Sequence, residues 1–147
     1  MKPKKSWREK LADDKDLPKT LVIPAPREVD ALMKQVPRRR LVTINDLRAA
    51  LAKKHGVTMA CPLTTGIFSW IAAHAAAEEE AAGKKRITPF WRTLKAGGEI
   101  NPKYPGGAAG VAERLRDEGH TIVAKGKRLL VAGYEEKIFG KFRSCPL

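Results

Sequence analysis

The sequence predicts an α/β fold: a winged helix-turn-helix domain with a short helical N-terminal extension. Three observations predict it. Two apolar-periodic segments, each with a start signal, flank a short link between Thr43 and Ala82. Two β-rich runs follow around Ala124-Lys125-Gly126-Lys127, a hairpin pattern. The chain is also strongly basic, with 29 Lys and Arg against 16 Asp and Glu, a formal net charge of +13. Such a field draws polyanions, and nucleic acid is the expected partner.

The elements follow in order. Ser6-Trp7-Arg8-Glu9 has capping-box spacing and predicts a helix from Trp7 to about Asp14. Lys15 to Ala25 carries two prolines and reads as an extended tether. Pro26 suits the first turn of a helix whose one face carries Val29, Leu32, Met33 and Val36, with Pro37 closing it. Arg38, Arg39 and Arg40 form a basic loop. Thr43-Ile44-Asn45-Asp46 opens a helix through about His55, with Leu47, Ala50 and Leu51 inward and Gly56 as its stop. Cys61 and Pro62 fall in the link. The next helix is expected from Thr64 or Thr65, carries Ile67, Phe68, Ile71 and Ala75 at helical spacing, and ends before Gly83. Gly106-Gly107 precede a helix from Ala108 to about Glu118, ended by Gly119. Thr121 to Val123 and Arg128 to Val131 read as strands, and Tyr134 to Phe142 as a last short helix. Residues 1–35 are assigned to the extension and 36–147 to the DNA-binding domain.

Several classes are excluded as expectations. No apolar run is long enough to span a membrane, and no apolar stretch follows the basic Met1 to Lys10, so no secretory signal is expected and the cytoplasm is the default. Cys61 and Cys145 form no CxxC, and His55, His74 and His120 are scattered. No metal, cofactor or disulfide framework is expected.

Val36 to Tyr134 resembles the DNA-binding domain of methylated-DNA–protein-cysteine methyltransferases, the alkylguanine-DNA alkyltransferases, and of the alkyltransferase-like proteins. Three blocks carry the resemblance. The family pattern IPxGxVxTYGDIA corresponds to Val36-Pro37-Arg38-Arg39-Arg40-Leu41-Val42-Thr43-Ile44-Asn45-Asp46-Leu47. The reactive segment IPCHRV corresponds to Thr88-Pro89-Phe90-Trp91-Arg92-Thr93-Leu94. The following segment, with its YxGG and later EG, corresponds to Gly98 through Tyr104, Gly106 and Gly107, then Leu115 and Glu118-Gly119. This last block is the most specific.

The departures carry the functional reading. The resemblance implies that the nucleophilic Cys is replaced by Phe90 and its activating His by Trp91, so alkyl transfer at that site is excluded and no enzyme is expected. Glu118 matches the Glu that orients the His, and has nothing to orient. Ile44 stands where the family has the Tyr that rotates a nucleotide, and the Arg finger aligns near Thr65. Ala75 to Lys85 is a longer Ala/Glu-rich insertion. Phe90 and Trp91 either line a pocket that stacks on a modified base or pack as core. Arg92 is read as a structural salt bridge in the same segment. Tyr104, Gly106 and Gly107 form either a lid over that pocket or a plain turn.

Thr43, Thr64, Thr65 and Ser69 are expected at the start of the two helices, their hydroxyls meeting phosphates. Arg38, Arg39, Arg40, Lys125, Lys127 and Arg128 are the main phosphate contacts expected, with Lys84 to Arg86 beside them. Glu78, Glu79 and Glu80 read as a solvated face. The recognition helix holds no Arg, Asn or Gln, so little sequence preference is expected. The reading is a monomeric, non-enzymatic DNA-binding protein that recognises alkylated or otherwise damaged bases and works with repair proteins. The alternatives are an architectural DNA-coating protein, and an alkyl acceptor using Cys61, although a buried structural role for Cys61 is the plainer expectation.

Overall fold

The computed structural model describes residues 20–142. The helix expected from Trp7 to Asp14, and Cys145, lie outside them. The chain runs β1 (Leu21–Val22), α1 (Pro26–Lys34), β2 (Val42–Thr43), α2 (Ile44–His55), β3 (Met59–Ala60) and α3 (Pro62–Ala81). It continues through β4 (Thr93–Leu94), α4 (Gly107–Asp117), β5 (Ile122–Lys125) and β6 (Arg128–Val131). Short 3-10 turns occupy Phe90–Arg92, Ala96–Gly98 and Tyr134–Lys137.

Local chemistry explains the boundaries. Thr43 caps α2: its hydroxyl accepts from the Asp46 N–H at 3.3 Å, while the Asp46 carboxylate accepts from the Thr43 N–H at 2.8 Å. Gly56 ends α2 in the left-handed region at φ 63°. Pro62, at the first position, starts α3 two residues earlier than expected from Thr64, because a missing N–H costs nothing there. The expected last helix is instead the 3-10 turn Tyr134–Lys137, after which Ile138 bridges Leu41 in parallel.

The sheets are small. Strand β1 pairs in parallel with β3, β2 in parallel with β4, and β5 antiparallel with β6. In the hairpin, Lys125 faces Arg128 across a two-residue turn, with Gly126 at φ 65°. The hairpin is tied back by Ile100, whose N–H donates to Leu129 at 2.8 Å.

One core joins these parts. Val29, Leu32, Met33 and Val36 pack with Leu41, Val42, Leu47, Leu51, Phe90, Leu94, Ile100, Val111 and Leu115. Each such burial contributes about 1.5–3 kcal/mol. Helix α1, assigned from sequence to the extension, therefore shares the core of the rest.

Helix α3 corrects one expectation. Its buried face is Thr65, Ser69, Ala72, Ala73 and Ala76, small residues that let α1 approach closely. Ile67, Ile71 and Ala75 are exposed, and Phe68 is half-buried. The apolar spacing was legible, but small side chains won the inner face.

Two features invite tests. Gly98 (φ +82°) leaves no room for a side chain, since an added Cβ would lie 2.3 Å from the Tyr134 ring. Gly97 has a similar φ of +81° and open space around it. Gly98→Ala is expected to lower stability by about 3 kcal/mol or more, and Gly97→Ala by about 1 kcal/mol. Urea unfolding of both variants measures this, and equal losses would count against the clash.

Glu28 joins α1 to the end of α2, accepting from the Ala25 N–H at 3.1 Å, Lys54 Nζ at 3.0 Å and His55 Nε2 at 2.6 Å. Burial pushes its carboxyl upward, but these donors outweigh that and hold it at about 2. A folded pKa below the unfolded value of about 4.3 contributes stability that is present above that value. It is lost as pH falls toward 2. Wild type is expected to lose about 2 kcal/mol through this group on acidification. Glu28→Gln should be weaker at pH 7 with a shallower acid limb, as read by denaturation between pH 2 and 7.

Candidate functional site

The segment expected from its sequence to match the family's reactive motif forms the 3-10 turn Phe90–Arg92, between α3 and α4. Phe90 is fully buried. Its ring meets Trp91 edge-on at 5.2 Å and Tyr104 at 6.1 Å. Tyr104 is also buried, and its hydroxyl donates to Ser69 at 3.1 Å. Burial pushes the Tyr104 phenol up to about 12, against the pull of that bond, so it stays protonated. Phe90 and Tyr104 therefore pack as core, not as the open lining of a base pocket. Gly106 (φ 84°) and Gly107 (φ 68°) form the turn that opens α4, with the Gly107 N–H donating to Tyr104 at 2.9 Å. At Gly106 an added Cβ would press on the Gly110 backbone at 3.3 Å.

Glu118, expected to have nothing to orient, is the most connected side chain here. Trp91 Nε1 donates to it at 2.6 Å. Arg92 donates through Nε at 3.0 Å and Nη2 at 2.9 Å. The Arg39 N–H donates at 3.2 Å. Burial raises its pKa, but Arg92, then Trp91 and the Arg39 amide, overcome that and leave it lowered. The indole N–H is thus one of the donors that hold this carboxylate. Arg92 also reaches the Val36 carbonyl at 2.8 Å, so it is the structural salt bridge expected. Beside the carboxylate, His120 is buried and its pKa is pushed below the usual value, first by burial and then by Lys137.

Sequence reasoning missed Arg114. Its guanidinium lies 4.7 Å from the Trp91 centroid and 5.4 Å from that of Phe90, and it pairs with Glu80 of α3. The expected solvated acids Glu78, Glu79 and Glu80 are all exposed; Glu79 pairs with Lys84 and Glu80 with Arg114. The only advance signal for Arg114 is its place one turn before Glu118.

The expected phosphate-binding hydroxyls are turned inward. Thr65 and Ser69 are fully buried and donate to the carbonyls of Cys61 and Gly66, both at 2.7 Å. The Thr64 hydroxyl is shielded, and the Thr43 hydroxyl is engaged with Asp46. The hydroxyls of Thr43, Thr65 and Ser69 thus satisfy groups of their own helices, which competes with any outside partner. Thr65 is likewise no position for an extended finger. Cys61 is half-buried at the start of α3. Its thiol pKa is lowered, first by the Thr64 hydroxyl and amide, with Arg48 adding to them. It is therefore not the deeply buried structural Cys expected.

The cations are outside. Arg38, Arg39 and Arg40 are exposed, as are Lys84, Lys85, Arg86, Lys125, Lys127 and Arg128. Arg38 donates to the Asp117 carbonyl at 3.3 Å, and Arg128 lies 3.9 Å from Glu99. Among the described residues, no group of His, Cys, Asp and Glu could hold a metal ion, and no helix is long and apolar enough to cross a membrane.

No protein-family model matches the chain, and no curated protein matches it. The fold is similar to that of S. pombe Atl1, an alkyltransferase-like protein, solved in complex with damaged DNA containing O6-carboxymethylguanine. The TM-score is 0.52 at 14% identity, over 78% of this chain and 93% of that chain. The resemblance read from the sequence thus holds in the fold.

Arg39 is the testable residue of the basic loop. It has φ 70° among the described residues, where other left-handed positions are glycines. A non-glycine residue there costs about 1–2 kcal/mol. Arg39→Gly is expected to gain about 0.5–1 kcal/mol, part of the relief being offset by unfolded-chain entropy. The same variant should elute earlier from heparin. Thermal melts with heparin chromatography check both, and a loss of stability would refute the strain.

Proposed function

We propose that the protein is a non-enzymatic DNA-binding protein that recognises damaged DNA. The observation that carries this reading is the likeness of the fold to an alkyltransferase-like protein; the sequence alignment that sets Phe90 and Trp91 at the reactive positions supports it, with Glu118 anchored to Trp91 and Arg92. A phenyl ring in the core has no nucleophile to offer, so the activity left to the fold is binding. Helix α3 and the β5–β6 hairpin serve as recognition helix and wing. The loop Arg38 to Arg40 and the hairpin cations Lys125, Lys127 and Arg128 supply phosphate contacts. An architectural reading draws on the closed packing of Phe90 and Tyr104. Affinity for plain duplex against duplex carrying one alkylguanine decides between them: damage recognition requires tighter binding to the second. Mass spectrometry after incubation with alkylated DNA tests the third reading, in which Cys61 accepts an alkyl group.

Phosphate-driven binding has a measurable signature. Neutralising Z phosphates gives a log–log salt slope of about −0.9Z, so roughly four to eight contacts give about −4 to −7. Replacing Lys125, Lys127 and Arg128 together with Ala should flatten the slope by up to about three units. The loss should be equal across unrelated sequences, because phosphates carry no base information. An unchanged slope would remove the hairpin from the interface.

A further inference from the structure

Helix α3 carries a row of large apolar side chains that the core does not use. Leu63 is 70% exposed, Ile67 40% and Trp70 41%. Their spacing of four and three residues sets them in one line along the helix. Scattered exposed apolar residues are ordinary; a continuous row holding a tryptophan is not.

The tryptophan is held in place. Its Nε1 donates to the Lys103 carbonyl at 2.8 Å. His74, one turn further on, sets Nε2 at 3.0 Å from the same oxygen, and its ring meets the indole edge-on at 5.3 Å. One carbonyl gripped by two side chains fixes the indole orientation while leaving ring surface in solvent. Cations flank the row. Exposed Lys103 belongs to the turn whose carbonyl holds Trp70, and Arg48 sits near the start of α3, donating to the Ala60 carbonyl at 3.0 Å. At the far end, Glu79 pairs with Lys84 at 3.3 Å and Glu80 with Arg114, while Glu78 is exposed.

We propose that Trp70, with Leu63 and Ile67, is a stacking platform for a DNA base that has left the helical stack. The proposal rests on the DNA-binding reading above and specifies what part of the DNA is recognised. A fixed aromatic face with cations beside it suits a base and its phosphate, and a net charge of +13 argues for a nucleic acid rather than a basic or neutral protein partner. An intact duplex offers no free base face, whereas a bulge or a single strand does. The buried Phe90 and Tyr104 offer no competing place for that base.

The test uses the full chain and fluorescence anisotropy with three labelled DNAs: an intact duplex, the same duplex with a one-nucleotide bulge, and a single strand. Wild type is expected to bind the bulged duplex several-fold more tightly than the intact one. Trp70→Leu keeps apolar bulk and removes the π face. It should lose about 10-fold on the bulge and the single strand, the scale of one base–aromatic stack, and less than about 2-fold on intact duplex. Trp70→Phe should restore most of the loss, which also separates stacking from misfolding. Equal losses on all three DNAs, or none, would overturn the platform while leaving DNA binding intact. No salt-dependent binding to any of them would overturn both.

Discussion

Glu118 is a nearly buried carboxylate that draws together three distant stretches of chain. Arg92 and Trp91 reach it from the turn before β4, the Arg39 amide reaches it from the basic loop, and Glu118 itself stands at the end of α4. A carboxylate in that position is tolerable only because its oxygens meet this many donors. Remove the donors and burial alone would disfavour the charge. With them, the basic loop is fixed against the core, Arg92 reaches on to Val36, and the indole is held beside Phe90. The seat of the phenyl ring and the presentation of the arginines are therefore two outcomes of one satisfied charge.

Much of the fold was legible because its signals are local. Thr43 with Asp46, Gly56, Gly119 and the Lys125–Arg128 turn each announce an element boundary through their own backbone chemistry. The core face of α1 was legible too, since Val29, Leu32, Met33 and Val36 recur at helical spacing. What escaped was the choice between faces on α3. Ile67 and Ile71 suggest an inner face by hydrophobicity, yet Ala72, Ala73 and Ala76 take it. Close packing against α1 rewards small volume there, and that depends on a neighbour distant in sequence.

The same division runs through the site. The basic loop and hairpin were readable as charge, and their exposure follows from the cost of burying Lys and Arg. The hydroxyls of Thr65 and Ser69 were not readable. A hydroxyl at a helix start suits phosphate and its own backbone equally well in sequence, and only packing decides. Arg114 and Trp70 were missed for a related reason: each acts through a partner on another element, Glu80 and the Lys103 carbonyl.

The parallel pairings have a kinetic consequence. Leu41 exchanges backbone hydrogen bonds with Lys137 and Phe139, and β2 pairs with β4 across the whole of α2 and α3. Neither ladder forms by zipping outward from a turn. Both require long loops to close before any bond rewards the closure, which slows folding relative to a bundle of the same helices. On the ribosome, Leu41 emerges long before Lys137 and Phe139, its backbone partners. Until Phe139 arrives, the strand beside the basic loop has an open edge, and the arrival of Lys137 to Phe139 completes the layer on which that loop stands.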